Sequence, residues 1–435
     1  RGGFMDYYNL KESLRQEGMQ RLDFHKEWED DEIADIIDDV ILKRSRELYM
    51  STATKLTLKQ ELFNAIRRLD ILQELIDDQT ISEIMVNGAG NIFYEKGGRI
   101  YKFEKKFDSP QKLEDVIQQI VARANRHVNE ASPIVDTSLA DGSRVNIVLK
   151  PVALNGPILT IRKFPEKAIT MERLIEWDSI SGEAAAVLEK LVRAGYNIFV
   201  SGGTGTGKTT LLNALADYIP KEERVITIED TAELQIRGVK NLVRLEVRNS
   251  TADGTYEVTI RDLIKSALRM RPDRIVVGEI RGAEAIDMLQ AMNTGHDGSL
   301  STGHANSIED MLSRIETMVM MGTDIPVQAI RKQIASSIDI VIQLGRLRDK
   351  SRRVVEIAEL NGIFDGEIAI NSLYKFREDI PEKSEDNGSE MMIREDGYYE
   401  NECGKVLGHL VPTGNGLIHK QKLMAANIRI EELDK

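Results

Sequence analysis

The stretch NIFVSGGTGTGKTTLLNAL, from Asn197 to Leu215, decides how the rest of the chain is read. Its first residues form an apolar run of strand type, and Leu211, Leu212 and Leu215 follow at helical spacing. Between them stand Gly202, four residues, then Gly207, Lys208 and Thr209, the G-x-x-x-x-G-K-[ST] pattern in its strand–turn–helix setting. The glycines let the backbone curl so that successive N–H groups converge on phosphate oxygens, and the helix N-terminus adds to that positive field. The predicted cradle is Gly202, Gly203, Thr204, Gly205, Thr206, Gly207, Lys208, Thr209 and Thr210. Lys208 is expected to reach the β and γ phosphates of a nucleotide, and the Thr209 hydroxyl to ligate magnesium. A glycine turn of purely structural use needs no Lys-Thr at its end.

Two further strand ends belong to the same reading. RPDRIVVGEIRG, Arg271 to Gly282, is an apolar strand ending in a lone carboxylate, Glu279. Many ATPases carry Asp then Glu there, the first holding the magnesium water shell and the second polarising the attacking water. Here the Asp place is Gly278. VITIEDTAEL, Val225 to Leu234, runs out into Glu229 and Asp230, with Glu233 three residues on. In a parallel sheet the C-terminal strand ends line one crevice, so the missing carboxylate is expected from Glu229, Asp230 or both, leaving Glu279 to the water. The competing explanation for EDTAE is a helix cap.

GHDGSLSTGHANS sets His296 and His304 at either end of a short strand. Zinc is excluded on inventory, because the spacing fits no usual ligand set and Cys403 is the single cysteine. A buried structural imidazole is the ordinary reading of each. A role in sensing the γ-phosphate is favoured for His304 over His296.

Working outward, NIFVSGG, RVITIED, DRIVVGE, GSLSTGH and DIVIQLG are strand-like and separated by helical patterns, which predicts an α/β domain with a mainly parallel sheet. It is placed at 179–378, behind a linker at 166–178. Residues 69–165 read as a smaller α+β domain: ISEIMVNGAGNIFYEKGGRIYKF alternates apolar residues between turn signals, QKLEDVIQQIVARANRH is an amphipathic helix, and SRVNIVLK and GPILTIRKF are strands. Residues 1–68 read as a helical bundle with an acidic solvated face, or a docking surface for a basic partner. Beyond 378 the polar, acidic REDIPEKSEDNGSE is expected to be mobile, followed by a C-terminal extension. Met318, Met320 and Met321 are expected to pack into the core.

The net charge of −13, from 58 basic and 71 acidic residues among 435, disfavours broad nucleic-acid wrapping. One cysteine suits a reducing, cytoplasmic setting. No apolar run approaches the ~20 residues that cross a bilayer, so any membrane role is expected to be peripheral. Arg1 to Phe4 are read as a remnant ahead of a natural start at Met5.

SGGTGTGKTT, TIEDTAEL, RMRPDRIVVGEIRG and AIDMLQAMNTGHDGSLSTGHANS, in that order, resemble the type II/IV secretion-system ATPase superfamily, closest to the branch that assembles Flp, or tight-adherence, pili. The resemblance covers roughly residues 60 to 378 well. It implies a RecA-like P-loop NTPase domain, a homo-hexameric ring, and ATP with Mg2+ held between the α+β and RecA-like domains. In relatives, arginines of the N-terminal domain or linker reach the phosphates, and the matching positions are Arg144 in LADGSRVNI and Arg162 in LTIRKF. Independently, charge developing on a transferred phosphoryl needs a cation that arrives on closure. Arg271 and Arg281 are weaker candidates for that service from a neighbouring subunit. The four-cysteine zinc module of many type II relatives is excluded here by the cysteine count.

The implied work is ATP hydrolysis coupled to domain closure about the linker near Pro165 to Ile169, at the inner face of the cytoplasmic membrane, driving platform proteins of a pilus or secretion apparatus. Two rivals remain at this stage: a conjugation or nucleic-acid-linked ATPase on the same fold, and a nucleotide-gated scaffold with little turnover.

Overall fold

The computed structural model describes residues 7–22, 28–124, 126–163, 169–248, 257–379, 392–393, 399–400 and 406–429. Arg1 to Phe4, the expected hinge at Pro165, and most of the acidic stretch after 379 lie outside the described residues. The chain divides into two compact units, 1–166 and 167–435. Among the described residues no helix is long and apolar enough to cross a membrane.

The first unit opens with three helices, α1 (Tyr7–Arg21), α2 (Asp30–Ser45) and α3 (Thr52–Arg67). Ile33, Ile37, Val40 and Ile41 of α2 face Leu10 and Leu14 of α1 and Leu58 and Leu62 of α3 in a core of their own, with Ile36 only half-buried. A single 3-10 turn leads through α4 (Gln73–Asp77) into an antiparallel meander of β1 (Ile81–Asn87), β2 (Ile92–Lys96) and β3 (Arg99–Lys102). Next comes α5 (Pro110–Arg123), entered through a Ser109 N-cap and a proline in the first turn. Its stripe Leu113, Val116, Ile117, Ile120 and Val121 is wholly buried. The strands β4 (Ile134–Ser138), β5 (Arg144–Val148) and β6 (Ile158–Arg162) complete a six-stranded sheet of order β3-β2-β1-β6-β5-β4.

The second unit begins with α6 (Met171–Glu176) and α7 (Gly182–Arg193). Then follow β7 (Ile198–Gly202), α8 (Lys208–Ala216), β8 (Arg224–Glu229), β9 (Asn241–Glu246), α9 (Ile260–Ala267), β10 (Arg274–Val277), α10 (Ala285–Asn293) and β11 (Leu300–Gly303). The helices α11 (Ile308–Gly322) and α12 (Val327–Ser337) precede β12 (Ile340–Arg346), β13 (Arg352–Phe364) and β14 (Glu367–Glu378). A two-residue pair, β15 (Met392–Ile393) and β16 (Tyr399–Glu400), stands apart from the sheet, and the chain closes on β17 (Gly408–Pro412) and α13 (Gln421–Ala425).

The strand order is β17-β14-β13-β12-β7-β11-β10-β8-β9. From β12 to β9 every pairing is parallel, and β13, β14 and β17 extend it antiparallel. The parallel core, RecA-like with the glycine-rich turn leaving its middle, is buried on both faces, which is why β7, β10 and β11 show no exposed residue. One face packs on α7 and α8, the other on α9 to α12. Met318 lies in the second of these cores, whereas Met320 and Met321 are 46% and 66% exposed. The buried stripe of α11 runs through Met311, Leu312, Ile315, Met318 and Val319, and helical spacing carries the next two methionines off that face.

Candidate functional site

The turn between β7 and α8 is built for close backbone approach. A Cβ at Gly202 would stand 2.7 Å from the Thr206 Oγ1 and 2.9 Å from the Leu344 carbonyl, and Gly207 opens α8 at φ +98°, a left-handed value that other residues avoid. Thr206 Oγ1 donates to the Gly203 carbonyl at 2.9 Å, bracing the curl from inside. Lys208 is buried, with Nζ donating to the carbonyls of Gly202 (3.1 Å) and Gly203 (3.0 Å). Its third neighbour is His304 Nδ1 at 3.1 Å.

His304 follows the C-terminal end of β11, and there the strand order matters. The ends of β7, β11, β10 and β8 are consecutive in the sheet, so side chains far apart in sequence meet in one row. His304 Nε2 lies 2.8 Å from Glu279 Oε1, Arg281 Nη2 lies 2.9 Å from Glu279 Oε2, and Arg281 Nη1 lies 3.5 Å from Asp230 Oδ2. Lys208, His304, Glu279, Arg281 and Asp230 thus form a continuous line of contacts. The histidine stands close to Glu279 Oε1 but out of line for a hydrogen bond, which leaves that buried oxygen without a hydrogen-bond partner. Burial holds His304 below its ordinary 6.5; Glu279 pulls upward, and Lys208, Arg281 and Arg314 push down. The ring is therefore neutral at pH 7. With Nδ1 facing the lysine ammonium, the proton belongs on Nε2, facing Glu279.

Gly278 has a physical explanation. A Cβ placed there would meet Glu229 Cγ at 3.2 Å, because the Glu229 side chain lies across the position a residue-278 side chain would fill. Glu229 is 3% exposed, and its Oε2 accepts from the N–H groups of Glu233 (2.6 Å) and Leu234 (2.8 Å). Burial pushes its carboxyl up to about 7, against the pull of those two N–H groups. The EDTAE box is therefore bound to the strand end rather than capping a helix: no helix begins there, and its turn is closed by Glu229 itself. Thr302, unnoticed in the sequence, donates to the Gly278 carbonyl at 2.7 Å and fixes β10 against β11.

His296 is not part of this row. It precedes β11 at the opposite end of the strand, where its Nδ1 lies 3.3 Å from the Ala291 carbonyl. Arg271 precedes β10 at that same end. Arg281, from sequence a weaker candidate for action on a neighbour, pairs within its own chain with Glu279 and Asp230. The signal was its spacing, two residues beyond Glu279 at a strand end. Arg144 and Arg162 belong to the first unit, where they are directly opposed across β5 and β6, with Glu83 of β1 opposite Arg162 on the other side.

Among the described residues, no group of three or more acidic, histidine or cysteine side chains could hold a metal by itself. Magnesium can also be held in another manner, by a few protein oxygens around an ion that keeps water and substrate phosphates, and Thr209, Glu229 and Asp230 carry oxygens of that type. Beside the turn, a cleft of 530 Å³ is lined by Gly203, Thr204, His304, Asp310, Ser313 and Arg314, among others.

A family model described as "Type II/IV secretion system protein" matches residues 66–399. The chain is 34% identical over 321 residues to type IV secretion system protein PtlH of Bordetella pertussis, covering 68% of this chain and 95% of that protein. It is 31% identical over 296 residues to conjugal transfer protein TrbB of Rhizobium radiobacter, covering 67% and 88%. Among solved structures, the VirB11 ATPase of the Brucella suis type IV secretion system, in complex with sulphate, matches at 28% identity over 66% of this chain and 95% of that one, with a TM-score of 0.37.

Proposed function

The chain belongs to the type II/IV secretion system protein family, and from that premise we propose that it is an ATP-hydrolysing motor of a pilus-assembly or secretion apparatus. The observation that carries the hydrolytic reading is the row Lys208–His304–Glu279–Arg281–Asp230 beside the glycine-rich turn. Phosphates of ATP occupy the cradle from Gly202 to Thr210, with Lys208 leaving the loop carbonyls for the β and γ oxygens. Thr209, with Glu229 and Asp230 partly through water, holds Mg2+, which when bound supplies charge neutralisation for the triphosphate. Glu279 orients and polarises the attacking water, its carboxylate held at Oε2 by Arg281, with His304 standing 2.8 Å from Oε1. Oε1, which has no hydrogen-bond donor in the ligand-free protein, is the acceptor left for that water once nucleotide binding rearranges the site.

Arg144 and Arg162, neighbours on one sheet face, supply cations to the phosphates when the first unit closes on the second across residues 166–178. In a homo-hexameric ring at the inner face of the cytoplasmic membrane, successive closures turn a membrane platform, and the sequence signature favours the Flp pilus branch of such machines. The deciding experiment is ATPase turnover of the wild type beside Glu279→Gln, with nucleotide binding measured on both. Binding retained with turnover nearly lost supports the assignment. Equal low turnover in both refutes Glu279 as the base, so that either another carboxylate acts or the scaffold takes the lead.

The relatives' names favour a second reading, a type IV secretion or conjugation ATPase. It predicts turnover stimulated by single-stranded or duplex DNA. The net charge of −13 argues for the pilus reading, under which DNA leaves turnover unchanged.

A further inference from the structure

The connection from β12 to β13 carries Arg346, Arg348, Lys350, Arg352 and Arg353 within eight residues. Two of the arginines have evident structural work. Arg348 Nη1 donates to both oxygens of Glu378 at 2.6 and 2.8 Å, and Arg353 donates to the carbonyls of Gly408 and Val406 while lying over the Phe376 ring. Arg346 and Arg352 are different. They are directly opposed partners in the β12–β13 register, both exposed, and neither has a hydrogen-bond or ion-pair partner among the described residues. Like charges set directly opposite each other destabilise a strand pair.

Their position gives the pair a use. By strand alternation both share the face of Leu344 and Val354, which pack in the core that includes Leu211 and Leu212 of α8. A Cβ at Gly207 would lie 4.0 Å from Arg352 Cδ, so the arginine stem runs past the turn that opens α8. Two unpaired cations therefore stand where the helix N-terminus is already positive and Lys208 adds a third charge, an arrangement that repels itself until an anion arrives. The strand order says which end of the anion. Lys208, His304, Glu279 and Asp230 occupy the ends of β7 and of the strands on one side of it, whereas β12 is its neighbour on the other. A triphosphate with its γ end at Glu279 has its α-phosphate and nucleoside towards β12.

We propose that Arg352, supported by Arg346, contacts the α-phosphate and ribose edge of the nucleotide bound at the glycine-rich turn. The proposal rests on that turn being a nucleotide site. It makes Arg352 a binding contact shared by ATP and ADP, distinct from the hydrolytic row, and explains two opposed arginines at one hairpin end.

The test is titration calorimetry of the full chain with Mg-ADP and with the Mg complex of a β,γ-imido ATP analogue, for wild type, Arg352→Gln, Arg352→Lys, Arg346→Gln and Arg348→Gln, alongside KM and kcat for ATP. Arg352→Gln should weaken both nucleotides by the same factor, about tenfold, and raise KM with kcat unchanged. Arg352→Lys should recover part of the loss, Arg346→Gln should lose a few-fold, and Arg348→Gln, held by Glu378, should stay within about twofold of wild type. Unchanged binding in Arg352→Gln beside a binding wild type overturns the proposal and leaves the nucleotide site standing. Weakening of the triphosphate alone also overturns it, by placing Arg352 at the γ end. A wild type that binds neither nucleotide overturns the site itself and the proposal with it.

Discussion

Replacing Glu229 with Gln should stabilise the ligand-free protein at alkaline pH and leave it unchanged at acid pH. The carboxyl sits at about 7 in the fold against an ordinary 4.5 in the unfolded chain, because burial opposes its charge. Between those values the folded protein binds more protons than the unfolded one, so stability falls as pH rises through the window. The penalty is absent below pH 4.5 and fully present above pH 7. At 1.36 kcal/mol per pKa unit it amounts to about 3 kcal/mol. Glutamine copies the neutral acid: its amide oxygen can accept from the N–H groups of Glu233 and Leu234, and it never ionises.

The assay is thermal and urea unfolding of both proteins in chelator, at intervals from pH 4.5 to 8.5. The variant-minus-wild-type difference should grow from near zero to about 3 kcal/mol. That corresponds to roughly 6–12 °C in melting temperature for a unit of this size. Asp339 and Asp70, also raised by burial, are common to both proteins and cancel in the difference. Parallel pH profiles for the two proteins, or a variant that loses ground as pH rises, would refute the argument. The same substitution should cost turnover if Glu229 serves the metal shell, so that stability and activity move in opposite directions.

Substitutions at four other positions test neighbouring parts of the reading. Gly278→Asp restores the residue many ATPases carry, but its Cβ meets Glu229 Cγ at 3.2 Å, and it should cost about 1–3 kcal/mol in urea unfolding; Gly278→Ala should cost less. His304→Gln should leave nucleotide affinity intact and lower kcat about 10- to 100-fold. Because burial holds His304 below 6.5, any acid limb it contributes to the wild-type rate lies below that pH and should vanish in the variant. Arg144→Ala and Arg162→Ala should each retain nucleotide binding while losing about a hundredfold in turnover, and a loss confined to binding would count against a role on closure.

The parts of this molecule that were legible in the sequence are those with local causes. SGGTGTGKTT needs only its flanking strand and helix to be understood, and the five strands of the parallel core announce themselves because burial on both faces keeps charged residues out of their middles, with only the small or neutral polar side chains of Ser201, Thr227, Ser301, Thr302 and Gln343 among the apolar ones. What escaped lies at the margins of the sheet. The edge strand β9 is only half-buried, and β13 and β14 mix charged and apolar residues because their faces are partly solvated. Their hairpin did carry a signal: Asp365-Gly366, with φ of +48° and +82°, is an Asp-Gly two-residue turn between alternating runs. β4 went unread for a similar reason, since its residues are exposed or half-buried in strict alternation at the end of a sheet. The contact of His304 with Glu279 depends on β10 and β11 being neighbours, which no local pattern states.

Gly278 and Glu229 are best understood as one feature. The register pairs Val277 with Ile228, and the Gly278 N–H donates to the Ile228 carbonyl at 2.9 Å, so the two next positions leave the sheet side by side. A side chain on both would compete for one volume; the chain gives that volume to the carboxylate on β8 and keeps the neighbouring position bare. The Glu229 carboxyl is then held by N–H groups of its own turn, at Glu233 and Leu234, instead of by a strand-end neighbour. Moving the acid one strand away from Glu279 has an electrostatic consequence. Two carboxylates on consecutive residues of β10 would each raise the other's cost of ionising, whereas here Glu279 keeps Arg281 as its partner and Glu229, near 7, can remain protonated until a cation reaches it. The absence of aspartate from this strand is therefore compatible with a complete set of acidic groups at the crevice, and the resting site carries less uncompensated negative charge against an incoming polyanion than an Asp-Glu pair would.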